Sequence, residues 1–227
     1  MIQKGKLFII ATPIGNLGDI TLRALETLKS VDAVLCEDTR HSLKLLNHYG
    51  IKKTLISFHE HNEKMRLAEI KKRLDKGENL ALISDAGTPL ISDPGFKLIQ
   101  HLREEGFLFE GLPGPCAAIN ALILSALPTD AFTFLGFLPP RSAARIKKFK
   151  EVRERKETLI FYESTHRIEK FLKEAGEIFG DRTAFAIREM TKKFEEFISG
   201  PAKDLGKTIK PRSWKGEWVV LIEGKRD

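Results

Sequence analysis

Three segments rich in glycine and proline offer main chain to a ligand. The first is Thr12-Pro13-Ile14-Gly15-Asn16-Leu17-Gly18-Asp19, directly after the apolar run Leu7 to Ala11. Pro13 fixes its φ, while Gly15 and Gly18 permit close approach to the backbone. The spacing is not the GxGxxG of a dinucleotide site, and no Gly-Lys-Ser/Thr follows as in a phosphate loop. An ordinary tight turn from strand to helix accounts for it equally well. The second segment is Ser84-Asp85-Ala86-Gly87-Thr88-Pro89-Leu90-Ile91-Ser92-Asp93-Pro94-Gly95. Connections this long are often functional. Asp85 stands where a strand ends, so its carboxylate can accept from a hydroxyl or an amino group, or simply cap a turn. The third is Leu112-Pro113-Gly114-Pro115-Cys116-Ala117-Ala118-Ile119-Asn120. Its small residues open a helix and admit either a flat ligand or a closely packed sheet.

The elements between these segments alternate. Strands are expected at 7–11, 33–36, 54–57, 80–83 and 107–110. Helices are expected from Asp19 (as N-cap) to Ser30, Ser42 to Tyr49, Glu63 to Lys76, Asp93-Pro94 to Glu105, and Cys116 to Leu127. Such alternation implies a mostly parallel sheet with helices on both faces. The pattern changes near Pro128. Strands are then expected at 132–138, 158–162, 183–188, 195–199 and 218–223, and helices at 142–155 and 165–179. The strand at 195–199 follows its neighbour closely enough to be antiparallel. The chain therefore reads as two α/β domains, 1–127 and 128–227, the second smaller and with a mixed sheet.

Composition narrows the class. With 38 Lys and Arg against 31 Asp and Glu, the net charge is +7, which favours a polyanionic partner without naming one. Cys36 and Cys116 lack metal-ligand spacing and imply no disulfide framework. The apolar runs at 7–11 and 117–127 are too short for a leader core or a membrane span. These features point to the cytoplasm and to no membrane partner. His59-Glu60-His61 loosely suggests metal binding, but no third ligand is identifiable, so no metal is expected.

Taken in order, seven segments resemble the tetrapyrrole methylase family of methyltransferases. They are Ala11 to Asp19, Glu37-Asp38-Thr39-Arg40, Phe58 to Glu63, Ser84 to Pro89, Phe161 to Ser164, His166-Arg167-Ile168 and Arg188 to Lys192. The resemblance implies a two-domain fold, a homodimer, and S-adenosylmethionine held in a cleft between the domains. Carried over by position, cofactor contacts fall on Pro13, Ser84, Asp85, Ala86, Gly87, Thr88, Ile91, Ala117, Ala118, Tyr162, Met190, Glu217 and Trp218. The first two loops lack the glycine-rich and Gly-Asp-Pro patterns of tetrapyrrole-modifying members. They match the RNA-modifying branch, whose substrate is a cytidine 2′-hydroxyl in small-subunit ribosomal RNA. Two departures stand out: Thr165 replaces a common proline, and many relatives carry a further small C-terminal domain, so that any RNA contacts made by that domain are expected to be absent here or made by other surfaces.

A ribose hydroxyl is a weak nucleophile, so a base is expected near it. Glu60 and Glu189 are the first candidates. Asp38, Arg40, His59, Glu163, Arg167, Arg188 and Lys192 are candidate substrate contacts, although an acid beside an arginine also makes a structural ion pair. The segment Arg141 to Glu157 holds eight basic and three acidic residues. At helical spacing it puts Arg141, Arg145 and Lys148 on one face, available to phosphates or merely solvated. The alternatives are a tetrapyrrole C-methyltransferase and a catalytically inactive RNA-binding or ribosome-assembly factor.

Overall fold

A computed structural model describes residues 4–208 and 215–226. The leader reading above bears partly on residues 1–3, outside that range. The chain forms two compact units, 1–116 and 117–227.

In the first unit, β1 (Lys6–Ile10), β2 (Ala33–Cys36), β3 (Thr54–Ser57), β4 (Leu80–Ile83) and β5 (Leu108–Leu112) form one sheet in the order β3-β2-β4-β1-β5. Every pairing is parallel. Successive side chains point to opposite faces, and two cores result. Leu7, Leu35, Leu80 and Leu82 pack with Ile70 and Leu74 of α3 (Glu63–Asp75) and Leu98 and Leu102 of α4 (Phe96–Glu104). Ile10, Val34, Ala81 and Ile83 pack with Ala24 and Leu28 of α1 (Leu22–Ser30) and Leu46 of α2 (Thr39–His48). The inner strands β2 and β4 are apolar throughout because both their faces are covered.

Helix starts differ from the sequence expectation. Asn16 caps a 3-10 turn, Leu17–Asp19, and Thr21 caps α1 by accepting the Ala24 N–H at 3.1 Å. Asp19 is thus not the cap, because Thr21 reaches the first free donor. Asp38 caps α2, which begins three positions before Ser42. Asp93-Pro94 does not open α4; Gly95, at φ +124°, is its cap.

The second unit begins at α5 (Ala117–Leu124), which packs on β7 and β10, defined below. The unit boundary thus lies before α5, ahead of the break read at Pro128. Next come β6 (Phe132–Phe137), α6 (Ser142–Val152), β7 (Thr158–Glu163), α7 (Ile168–Phe179), β8 (Thr183–Arg188), β9 (Glu196–Pro201), α8 (Ala202–Thr208) and β10 (Trp218–Ile222). The sheet order is β6-β7-β10-β8-β9, with only β6 and β7 parallel. Helices α6, α7 and α8 cover one face through Phe149, Phe161, Phe171, Phe179 and Leu205. Phe149 meets Phe161, Phe171 and Phe179 edge-on at 5.1–5.8 Å. Arg145 is not on a solvated basic face. It is 1% exposed, and its Nε donates to Glu174 Oε2 at 2.6 Å. A guanidinium so deep in an apolar core persists only with a partner.

Candidate functional site

In the first unit the loops at the carboxyl ends of the strands are knitted together, as parallel sheets require of a ligand site. Thr12 and Gly87 exchange main-chain bonds at 2.8 and 3.0 Å. The Thr12 hydroxyl donates to Ser84 O at 3.1 Å, and the Ser84 hydroxyl to Gly87 O at 3.1 Å. Thr88 Oγ1 donates to Pro115 O at 3.0 Å, tying in the loop after β5. The Asp38 N–H donates to Asp85 Oδ1 at 3.2 Å, tying in the loop after β2. This rim combines main chain with short hydroxyl side chains and the Asp85 carboxylate. A Cβ on Gly87, at φ +83°, would meet Ile14 Cγ2 at 3.2 Å, and one on Gly114 would meet Ala11 Cβ at 2.8 Å. Leu90 and Ser92, at φ 72° and 66°, hold the same loop in the left-handed region. Strain of that kind gathers at functional segments and costs ~1–3 kcal/mol per residue.

The rim is acidic. Burial, moderated by a Ser84 hydrogen bond and reinforced by Glu37 and Asp85, raises the Asp93 carboxyl to about 6. The Arg40 guanidinium, bonded to Asp38 at 2.8 and 3.1 Å, holds that carboxyl well below the usual range. Arg40 and Asp38 are therefore a local pair beside the loop. Asp93 and Glu37 were not among the candidate site residues, although Glu37 lies in one of the seven resembling segments. The only signal was a second aspartate in the Ser84 to Gly95 loop, where Pro94 pointed instead to a helix start.

After β3, Asn62 orders the loop. It accepts the His59 N–H at 2.9 Å, donates to Ser57 O at 3.1 Å, and lies 3.1 Å from His59 Nε2. An amide nitrogen only donates, so Nε2 accepts and the ring proton sits on Nδ1. That Nδ1 has no partner among the described residues. Glu60 is exposed, and no described residue pairs with it. Among the described residues, no group of three His, Cys, Asp or Glu is placed to hold a metal.

The second unit gathers a further set. Tyr162 Oη accepts the Ala118 N–H at 3.1 Å, and Asn120 Nδ2 approaches Met190 Sδ at 2.9 Å. Met190 is flanked by Glu189 and Thr191, both left-handed at φ 50° and 65°. Lys192 Nζ bonds Glu189 Oε1 at 3.0 Å and Glu217 Oε2 at 2.8 Å, and the Glu217 N–H donates to Glu189 Oε1 at 3.1 Å. Burial alone would raise the Glu189 carboxyl, but the Lys192 and Glu217 bonds bring it below its ordinary value. Ala118, Tyr162, Met190 and Glu217 thus fall into linked positions. Trp218 is buried in the core of the second unit.

Several candidate substrate contacts serve the fold. Glu163 is buried, accepting from Arg167 Nη2 at 3.0 Å and the Ser164 N–H at 2.7 Å. Arg167 also donates to Leu138 O at 2.6 Å. Arg188 bonds Glu196 at 2.9 Å and Lys215 O at 3.1 Å.

Known proteins resemble this chain in sequence and in fold. The sequence model described as tetrapyrrole (corrin/porphyrin) methylases matches residues 6–206. A Haemophilus influenzae protein named ribosomal RNA small subunit methyltransferase I is 50% identical, over 97% of this chain and 79% of its own. A Thermotoga maritima protein of the same name is 44% identical, over 97% of this chain and 99% of its own. Among solved structures, diphthine synthase aligns at TM-score 0.74 and 15% identity over 96% of this chain and 90% of its own. Cobalt precorrin-4 methyltransferase, a cobalamin biosynthetic enzyme, aligns at 0.68 and 18% over 96% and 94%. Identities this low speak to the fold alone.

Proposed function

The chain belongs to the tetrapyrrole methylase family, and from that premise we propose that it transfers a methyl group from S-adenosylmethionine to small-subunit ribosomal RNA, at the 2′-hydroxyl of a cytidine. The observation that carries this reading is 44–50% identity, over 97% of this chain, to proteins named as ribosomal RNA methyltransferases. The rim of the first unit suits such a cofactor: main chain and short hydroxyl side chains form it, glycines keep it close-packed, and Asp85, Asp93 and Glu37 lie near one another there. When bound, S-adenosylmethionine supplies a methyl group already activated on a sulfonium.

Pro13, Ala86, Gly87, Thr88 and Ile91 are proposed to present main chain to the cofactor, with Ser84 ordering the loop. Asp85 accepts from its hydroxyl or amino donors. In the second unit, Ala117, Ala118, Tyr162, Met190 and the main chain of Glu217 and Trp218 complete the contacts. Glu60 receives the proton of the attacking hydroxyl, because of the two candidate bases it is the one with no partner among the described residues. His59, whose Nδ1 is buried, acts through Asn62 to order the loop that carries Glu60. Glu189, held ionised by Lys192, is a weak base and instead fixes the turn that carries Met190. The acting species is proposed to be a cytoplasmic homodimer. The reading is tested by titrating the protein with S-adenosylmethionine in a calorimeter, then incubating it with small-subunit RNA and cofactor labelled in the methyl group. Saturable binding with label in RNA is expected. Binding without transfer to any RNA would favour a small tetrapyrrole substrate, and absence of binding would favour an inactive assembly factor.

A further inference from the structure

A groove of about 420 Å³ runs along the first unit between α3 and α4. This size lies within the ~300–1,000 Å³ of small-ligand sites. Its floor is apolar, from Leu67 and Leu98, and its walls carry Lys64, Lys97 and His101. Glu60 stands at its edge, on the loop that follows β3. The other acid lining it is turned inward: Glu63 is buried and accepts the Leu98 N–H at 2.9 Å, at the start of α4. Lys71 is drawn to Glu105. No described residue pairs with the ammonium group of Lys64 or Lys97, and both residues are exposed. The groove is thus cationic at its walls and apolar at its floor. It opens beside the carboxylate assigned above to the reacting hydroxyl.

We infer that this groove seats the single-stranded RNA flanking the methylated nucleotide. Lys64 and Lys97 take its phosphates, and Leu67 supports a base. Single strands combine a charged backbone track with apolar or aromatic support for splayed bases, and both are present here. The inference rests on the ribosomal RNA reading above.

The test measures small-subunit RNA binding against salt for the whole protein, for Lys64→Gln/Lys97→Gln, and for Lys52→Gln/Lys53→Gln in the loop before β3. Loss of two phosphate contacts should lower the slope of log affinity against log salt by about 1.4 and weaken binding by about tenfold. The Lys52/Lys53 variant should match the unaltered protein. Melting temperature and S-adenosylmethionine affinity should be the same in all three. An unchanged slope in Lys64→Gln/Lys97→Gln, or loss of self-association in place of RNA affinity, overturns the inference. Failure of the unaltered protein to bind or methylate RNA instead overturns the reading beneath it.

Discussion

Glu60 and Glu189 both stand at strand ends, yet their surroundings separate them. Glu189 is held by Lys192 and the Glu217 N–H, which stabilise its charged form and weaken it as a base. Glu60 has no described partner. Replacing Glu60 with Gln should lower kcat by about 10²-fold or more, the usual contribution of a positioned base, with cofactor affinity unchanged. Steady-state methylation with calorimetry checks this; full activity would remove Glu60 from the role. Asp93 supports a second expectation at this scale. Its carboxyl is raised to about 6 by burial and by Glu37 and Asp85. The folded protein therefore holds that proton more tightly than the unfolded chain, whose aspartates titrate near ~3.9. Its contribution is fully present below about pH 4 and is lost as pH rises through about 6. Asp93→Asn should accordingly flatten the stability profile between about pH 4 and 6 and stabilise the protein at pH 7.5 by on the order of 1 kcal/mol, after discounting for solvent screening. Urea unfolding at several pH values measures it, and an unchanged profile would contradict the assignment. The Asp85 loop was legible in the sequence because proline, glycine and aspartate crowd one connection. The Glu37–Asp93 proximity was not, because it joins loops distant in the chain.

At the scale of elements, legibility followed burial. The boundaries of β2, β3, β4 and β8 agree with the apolar runs read from sequence, since β2, β4 and most of β8 are buried on both faces. Helix starts were less legible, because several polar residues near each start compete to cap it and only packing decides. Helix α8 was not anticipated: its Ala202-Lys203-Asp204-Leu205-Gly206 run is short, and α7 holds it through the close approach at Gly176, where a Cβ would meet Lys203 Cα at 2.9 Å. Arg145 shows the limit of periodicity. Spacing put it on a basic face, but Glu174 and Ser142 accompany it into the core between α6 and α7. Arg145→Ala should destabilise the protein by about 3–5 kcal/mol, because Glu174 is left buried and unpaired. Arg145→Met with Glu174→Leu should recover most of that loss. Thermal unfolding of both distinguishes this from a solvated arginine, whose removal would cost little.

At the scale of the whole molecule, a parallel sheet and a mixed sheet each bring strand-end loops into ordered sets. In the first unit the loops after β1, β2, β4 and β5 are tied by main-chain and hydroxyl bonds. In the second, Ala118, Tyr162 and Met190 come together. The two-domain α/β class was readable from alternation alone. The chemistry was not, since each loop by itself also makes an ordinary turn; seven segments in order were needed to distinguish them. The central claim is that this scaffold methylates a cytidine ribose in small-subunit RNA. Its most direct test is to incubate the purified protein with small-subunit RNA and S-adenosylmethionine carrying a deuterated methyl group, digest the RNA to nucleosides, and weigh them by mass spectrometry. The account predicts the label in 2′-O-methylcytidine. Label confined to a base, or to a different ribose, would contradict it.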